Sequence, residues 1–153
     1  MIDNSLVPAN EIWYTTTDGK TIKGSIAAPK KSNTYKKGKG VMSFSIPIVE
    51  ISKEAFYSCE RLQEIVIPEG VVKIGERAFE NCYSMTEISL PSTVNTLGSS
   101  LLEGCYSVEK LTVPFIGTSR ENPDTVSSLF GFYTDLYSLR SINITNALTI
   151  PSN

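Results

Sequence analysis

The stretch Leu62-Gln63-Glu64-Ile65-Val66-Ile67-Pro68, continued through Val71, Ile74-Gly75 and Ala78-Phe79 to Cys82, decides the fold, because its pattern returns along the chain. Cys59, Cys82 and Cys105 are spaced 23 residues apart, twice in succession. Ala55-Phe56, Ala78-Phe79 and Leu101-Leu102 hold matching places before them, and Leu62, Met85 and Val108 follow each cysteine by three residues. Then come Ile65-Val66-Ile67-Pro68, Ile88-Ser89-Leu90-Pro91 and Leu111-Thr112-Val113-Pro114. Val71 and Ile74 match Val94 and Leu97, with Ile51 in register ahead. A period of this length marks a solenoid, whose units stack because none can bury its apolar face alone.

Within one unit the alternation puts Ile65 and Ile67 on one face of a short strand. Pro68 ends that strand, having no N–H for the next ladder bond. Ile74, Phe79, Cys82 and Met85 turn inward and close the coil. Each large side chain buried contributes roughly 1.5–3 kcal/mol, and each unit offers several. An earlier partial unit is expected where Phe44, Ile46 and Pro47 match Ile65, Ile67 and Pro68. In a later one Leu136 takes the cysteine slot, followed by Leu139, Ile142 and Ile144. Gly117, Asn122, Pro123 and Asp124 mark an insertion between them, over residues 115–135.

The chain has 153 residues, 41% hydrophobic and 20% charged, which suits a folded domain and argues against wholesale disorder. Its formal charge of −2 gives no general reason to expect nucleic acid. Charge is uneven, however. Lys30, Lys31, Lys36, Lys37 and Lys39 fall in one stretch without an acid, and setting these five aside from the total leaves about −7 on the rest. No apolar run is long enough to cross a membrane, and Met1-Ile2-Asp3-Asn4 lacks the basic and apolar regions of a secretory signal. The chain contains no histidine, which excludes Ser-His-Asp and Cys-His catalysis and imidazole-ligated zinc within it.

Ile74-Gly75-Glu76-Arg77-Ala78-Phe79-Glu80-Asn81-Cys82 and Glu87-Ile88-Ser89-Leu90-Pro91 resemble the BspA-like leucine-rich repeats of bacterial surface proteins. Pro114-Phe115-Ile116-Gly117 and Leu129-Phe130-Gly131 are similar to a recurrent insertion of that family, and the resemblance runs from about Val41 to Pro151. It implies a right-handed, β-rich leucine-rich-repeat solenoid, usually exported, from a family associated with adhesion to host proteins or other cells. The motif fixes core positions and no binding residues. The expected fold class is therefore an α/β repeat of about 23-residue units with an N-terminal β-hairpin cap.

The cap is expected in residues 1–40 and the repeats in 41–153. Glu11 to Thr17, Asp18-Gly19 and Lys20-Thr21-Ile22 predict the hairpin, since Asp-Gly is a strong two-residue turn. Residues 30–39 are then a basic connecting loop. Ile150-Pro151-Ser152-Asn153 matches Ile74-Gly75-Glu76-Arg77, so a longer array is expected.

Candidate chemistry reduces to packing. Metal sites pair their ligands two to four residues apart, whereas the three cysteines are spaced as an inward ladder of small side chains that react slowly with thiol reagents. Leu90-Pro91-Ser92-Thr93-Val94 departs from a sortase signal at Val94, and Asn143-Ile144-Thr145 places a glycosylation pattern on a core strand. Lys37-Gly38-Lys39-Gly40 is no phosphate loop. Outward residues form two columns on the strand face: Glu64, Glu87, Lys110 and Ser141, and beside them Val66, Ser89, Thr112 and Asn143. A column running Glu, Glu, Lys, Ser is a variable surface rather than a catalytic pair. The expectation is a non-enzymatic recognition module binding a protein or glycan through these eight residues, helped by the insertion around Arg120. It has no metal, cofactor, nucleic acid or membrane insertion. The alternative is a spacer whose strand face is uniformly polar.

Overall fold

Repeated strand segments ending in proline give two ladders of parallel strands in a computed structural model that describes residues 3–119, 121–122, 127–131 and 136–145. In chain order the strands are β1 (Glu11–Thr16), β2 (Lys30–Lys36), β3 (Lys39–Phe44), β4 (Glu50–Ile51), β5 (Leu62–Val66) and β6 (Lys73–Ile74). They continue with β7 (Glu87–Ser89), β8 (Thr96–Leu97), β9 (Lys110–Val113) and β10 (Ser141–Ile144). In the larger ladder Ile65 pairs with Ile88, Ile88 with Leu111 and Leu111 with Ile142. In the smaller one Ile51 pairs with Ile74 and Ile74 with Leu97. Identical positions lie side by side because a one-residue slip would turn the apolar set toward water. The interior is a single cluster holding Phe56, Phe79, Met85, Ile88 and Leu102, with the Phe56 and Phe79 rings stacked at 5.4 Å.

The α/β expectation fails in its helical half. Among the described residues, helix is confined to a 3-10 turn at Asn4–Leu6 and to α1 (Ser127–Phe130). The physical reason lies in two recurring left-handed positions. Glu54, Arg77 and Ser100 have φ of 55°, 57° and 51°, and Ser58, Asn81 and Gly104 have 55°, 61° and 76°. Each pair brackets only three residues, too few for a helical turn to propagate. Gly75 and Gly98 serve close approach instead: a Cβ on either would meet the backbone of the preceding coil, at Lys53 and Glu76 respectively.

The cap differs from its sequence reading. β1 lies between β3 and β5, antiparallel to both, with Trp13 opposite Val41 on one side and Val66 on the other. Both edges are thus taken, and no strand forms at residues 20–22 although Asp18-Gly19 does turn the chain. The hairpin is β2–β3, closed by Lys37 and Gly38 at φ of 50° and 76°, with Lys36 opposite Lys39. Two consecutive positive φ values are the signature of the primed turn that suits strand twist. Residues 30–39 are therefore a hairpin rather than a loop. The crossing segment after β1 is tied down where Arg61 donates to the Asp18 carboxylate at 2.7 Å and to the Thr21 carbonyl at 3.1 Å.

The partial units also differ. Phe44 is buried, but Ile46 is 51% exposed and Ile48 takes the inward place, because β3 pairs with β1 rather than with β5. β10 keeps the expected parallel register, yet Leu136, Ile142 and Ile144 are 36%, 37% and 40% exposed. Among the described residues no strand lies beyond β10 to cover them. The insertion contributes to the core: Leu129 and Phe130 are buried, and the Leu102 amide donates to Leu129 at 2.7 Å as the Phe79 amide does to Leu101. Arg120 and residues 150–153 lie outside the described residues.

Candidate functional site

β1, β3 and β2 extend the strand face, so one sheet runs β10-β9-β7-β5-β1-β3-β2. Its outward row is continuous in register: Thr34, Val41, Trp13, Val66, Ser89, Thr112 and Asn143. A parallel row carries Thr15, Glu64, Glu87, Lys110 and Ser141. The structure thus sets the residues of both columns side by side in register.

Two of the eight residues are not available to a partner. Val66 and Ser89 are buried, Val66 beside Trp13 in the sheet and Ser89 under the 3-10 turn. The Asn4 side-chain amide donates to the carbonyls of Ile67 at 2.7 Å and Ser89 at 3.0 Å, and its oxygen accepts from the Ser89 hydroxyl at 2.8 Å. One side chain so bridges two coils with its own polar groups satisfied. Glu64, Lys110, Ser141 and Asn143 stay exposed, and Glu87 and Thr112 half-buried. Trp13 sits where cap and coils meet, its indole N–H on Glu11 at 2.7 Å and the Lys39 ammonium 3.6 Å above its ring. Tyr14, its neighbour in β1, points inward and is buried.

A surface the sequence reading passed over stands on the turns that enter the strands. Tyr83 and Tyr106 are 41% and 49% exposed, with rings parallel and centroids 6.2 Å apart. Tyr137 follows Leu136 as they follow their cysteines, and is 92% exposed. The signal was present as Cys82-Tyr83-Ser84, Cys105-Tyr106-Ser107 and Leu136-Tyr137-Ser138, one slot beyond the ladder that drew attention.

The cysteines are packing groups with a polar function. Cys82 donates its thiol to the Phe56 carbonyl at 3.3 Å and Cys105 to that of Phe79 at 3.0 Å, one coil back. The Cys105 thiol beside it, together with burial, pushes the Cys82 thiol far above its ordinary range. Cys59 is only partly buried, donating to the Lys23 carbonyl at 3.4 Å in an open groove of about 510 Å³. Burial raises its thiol, against the opposing charge of Arg61. Among the described residues no group of three Cys, Asp or Glu side chains is placed to hold a metal ion, and no helix is long and apolar enough to cross a membrane.

The chain matches the BspA type leucine rich repeat region over residues 31–153, in six copies. None of the curated proteins compared with it matches. Among solved structures it is similar to a leucine-rich repeat protein from Bacteroides capillosus, 17% identical with a TM-score of 0.50, covering 93% of this chain and 99% of that one. It is also similar to a leucine rich cell surface protein from Faecalibacterium prausnitzii (21% identity, TM-score 0.49, 69% of this chain and 32% of that one). A leucine-rich repeat protein of T. pallidum is 21% identical with a TM-score of 0.42, covering 64% of this chain and 53% of that one. The chain thus spans about half of the T. pallidum protein and about a third of the F. prausnitzii one. With most of its length matched, the chain belongs to the BspA type leucine-rich repeat family.

Proposed function

We propose that this chain is a non-enzymatic recognition module of a cell-surface protein, a right-handed solenoid of about 23-residue units that binds a protein or glycan through its strand face. Leucine-rich repeats generally serve protein interaction, and membership of this family supports that reading. The contacts assigned are Glu64, Glu87, Lys110, Thr112, Ser141 and Asn143. Val66 and Ser89 are buried, and Ser89 acts instead as part of the seat of the Asn4 turn. The observation that carries recognition over a passive spacer is the tyrosine column. Three aromatic side chains in one slot of three coils leave 41%, 49% and 92% of their surface in water, and exposed apolar surface of that kind marks interaction sites. A spacer reading draws on the polar strand columns, which lack an aromatic apart from Trp13.

The two readings separate in one experiment. The chain is immobilised and probed with a glycan array and with extracellular-matrix proteins, beside Tyr83→Ser/Tyr106→Ser and Lys110→Glu/Asn143→Arg variants. Recognition predicts a saturable ligand whose capture falls at least about tenfold in one or both variants, with melting temperature nearly unchanged. A chain that captures nothing is a spacer, and equal capture in all forms overturns the assignment of the contacts to the strand face and the tyrosine column.

A further inference from the structure

We infer that the β2–β3 hairpin is a second binding site, which takes a polyanionic glycan bearing sulfate or carboxylate groups. Three basic residues of the coils are paired, Lys53 with Glu76, Lys73 with Glu50, and Arg77 with Glu54 and Glu80, while among the described residues Lys110 and Arg140 stand singly on the strand side. Lys30, Lys31, Lys36, Lys37 and Lys39 have no ion pair among the described residues, and all but Lys39 are exposed. Lys36 lies directly opposite Lys39, with Lys37 in the turn between them. Like charges opposed across a ladder destabilise it, so the fold alone gives no reason for this arrangement. An anion bridging the pair removes the repulsion.

The hairpin that carries the cations is also held in place. Tyr35 packs on Tyr14 at 6.0 Å, the Tyr14 hydroxyl donates to Asn33 at 2.6 Å, and Asn33 donates to the Ile22 carbonyl at 2.7 Å. Lys39 is fixed over Trp13. A ligand thus meets a preorganised tip, at little ordering cost. Lys36 and Lys39 share the sheet's outer side with the exposed hydroxyls of Ser32 and Thr34, an array suited to a hydroxyl-rich polyanion lying on the face. An acidic peptide added as a strand would instead engage the edge of β2. Nucleic acid lacks a stacking platform, because Tyr35 faces Tyr14 and Lys39 occupies Trp13. The rest of the chain carries about −7 net, which disfavours a polyanion away from this tip.

Trp13 is the single tryptophan, so its fluorescence reports on Lys39 directly. The whole chain is titrated with a heparin-derived sulfated oligosaccharide at about 0.15 M salt, and with an uncharged dextran of equal length. The expected result is a saturable change with the first and none with the second. Affinity falls at least about tenfold in Lys31→Gln/Lys36→Gln/Lys37→Asn and is unchanged in Lys20→Gln/Lys53→Gln/Lys73→Gln. A lone Lys36→Gln weakens binding about threefold and guards against misfolding of the triple variant. Absence of saturable binding, equal affinity in the two triple variants, or tighter binding of polyglutamate or of phosphatidylserine vesicles at equal charge overturns the assignment. Because the coil face is untouched by these variants, the outcome is independent of the strand-face reading.

Discussion

At the scale of single residues, backbone geometry decides more than side-chain identity. The coils approach closely at Gly75 and Gly98, where a methyl group would collide with the preceding backbone. Gly98→Ala is expected to cost about 1–3 kcal/mol in chemical denaturation, as overpacking does. Ser58, exposed with φ of 55°, is the converse case. Ser58→Gly relieves left-handed strain and should leave stability unchanged or raise it by up to about 1 kcal/mol, the relief being partly offset by unfolded-state entropy. Thiols provide a second test. Cys82 has its folded-state pKa raised, so its contribution to stability is complete below the unfolded value near 9.0 and is lost as pH rises beyond it. Tyr14, raised chiefly by burial, acts in the same direction. Denaturation midpoints should therefore fall above about pH 9, less steeply in Cys82→Ala. A thiol reagent should label Cys59 first, with Cys82 and Cys105 reacting only on opening of the coils; simultaneous labelling would contradict the ladder. The expectation of equal slowness was incomplete because Cys59 lacks a preceding coil and meets only the crossing segment at Lys23.

At the scale of elements, the cap shows how pairing partners override local propensity. Asp18-Gly19 is a strong hairpin signal, and it does turn the chain. It fails to make a hairpin because β1 has β3 on one edge and β5 on the other, so the segment after the turn finds no free edge. Lys37-Gly38 is a weaker signal that succeeds because β2 and β3 bury Tyr35 and Met42 toward the interior. The 3-10 turn at Asn4–Leu6 has only a short local signal, Asp3 capping the Ser5 amide, while the bonds that dock it go to Ile67 and Ser89, which are distant in the chain. Asn4→Ala should cost about 1–3 kcal/mol, the penalty for leaving buried partners unsatisfied. It should also speed hydrogen exchange at the Leu6 and Val7 amides, which bond to Asp3 and Asn4. Unchanged exchange there would mean that the clamp contributes nothing.

At the scale of the whole molecule, each coil is stabilised by its neighbours, so protection should grade along the array. β5 and β7 are covered on both sides, whereas β10 exposes Ile142 and Ile144. Amides of β10 are expected to exchange at least about tenfold faster than those of β5 and β7. Uniform protection would show that something covers β10 as fully as the inner strands. Charge is likewise distributed globally, with five lysines gathered on the hairpin and Lys53, Lys73 and Arg77 paired with acids along the coils.

The amino-acid sequence by itself determined the coil. The recurrence of Ile65, Ile88 and Leu111 specifies which residues turn inward, because a parallel ladder with period-two alternation leaves one register that buries them all. The outward columns from Glu64 to Ser141 and from Val66 to Asn143 follow from the same alternation. Tertiary structure alone decided what lies on top of those columns and beside them. That Val66 and Ser89 are covered, that the sheet continues through Trp13 to a lysine hairpin, and that Ile46 faces water all depend on pairings between segments far apart in sequence. A repeat announces itself because each unit must satisfy the same neighbours. A cap meets a different neighbour on each side, so no internal repetition records its contacts.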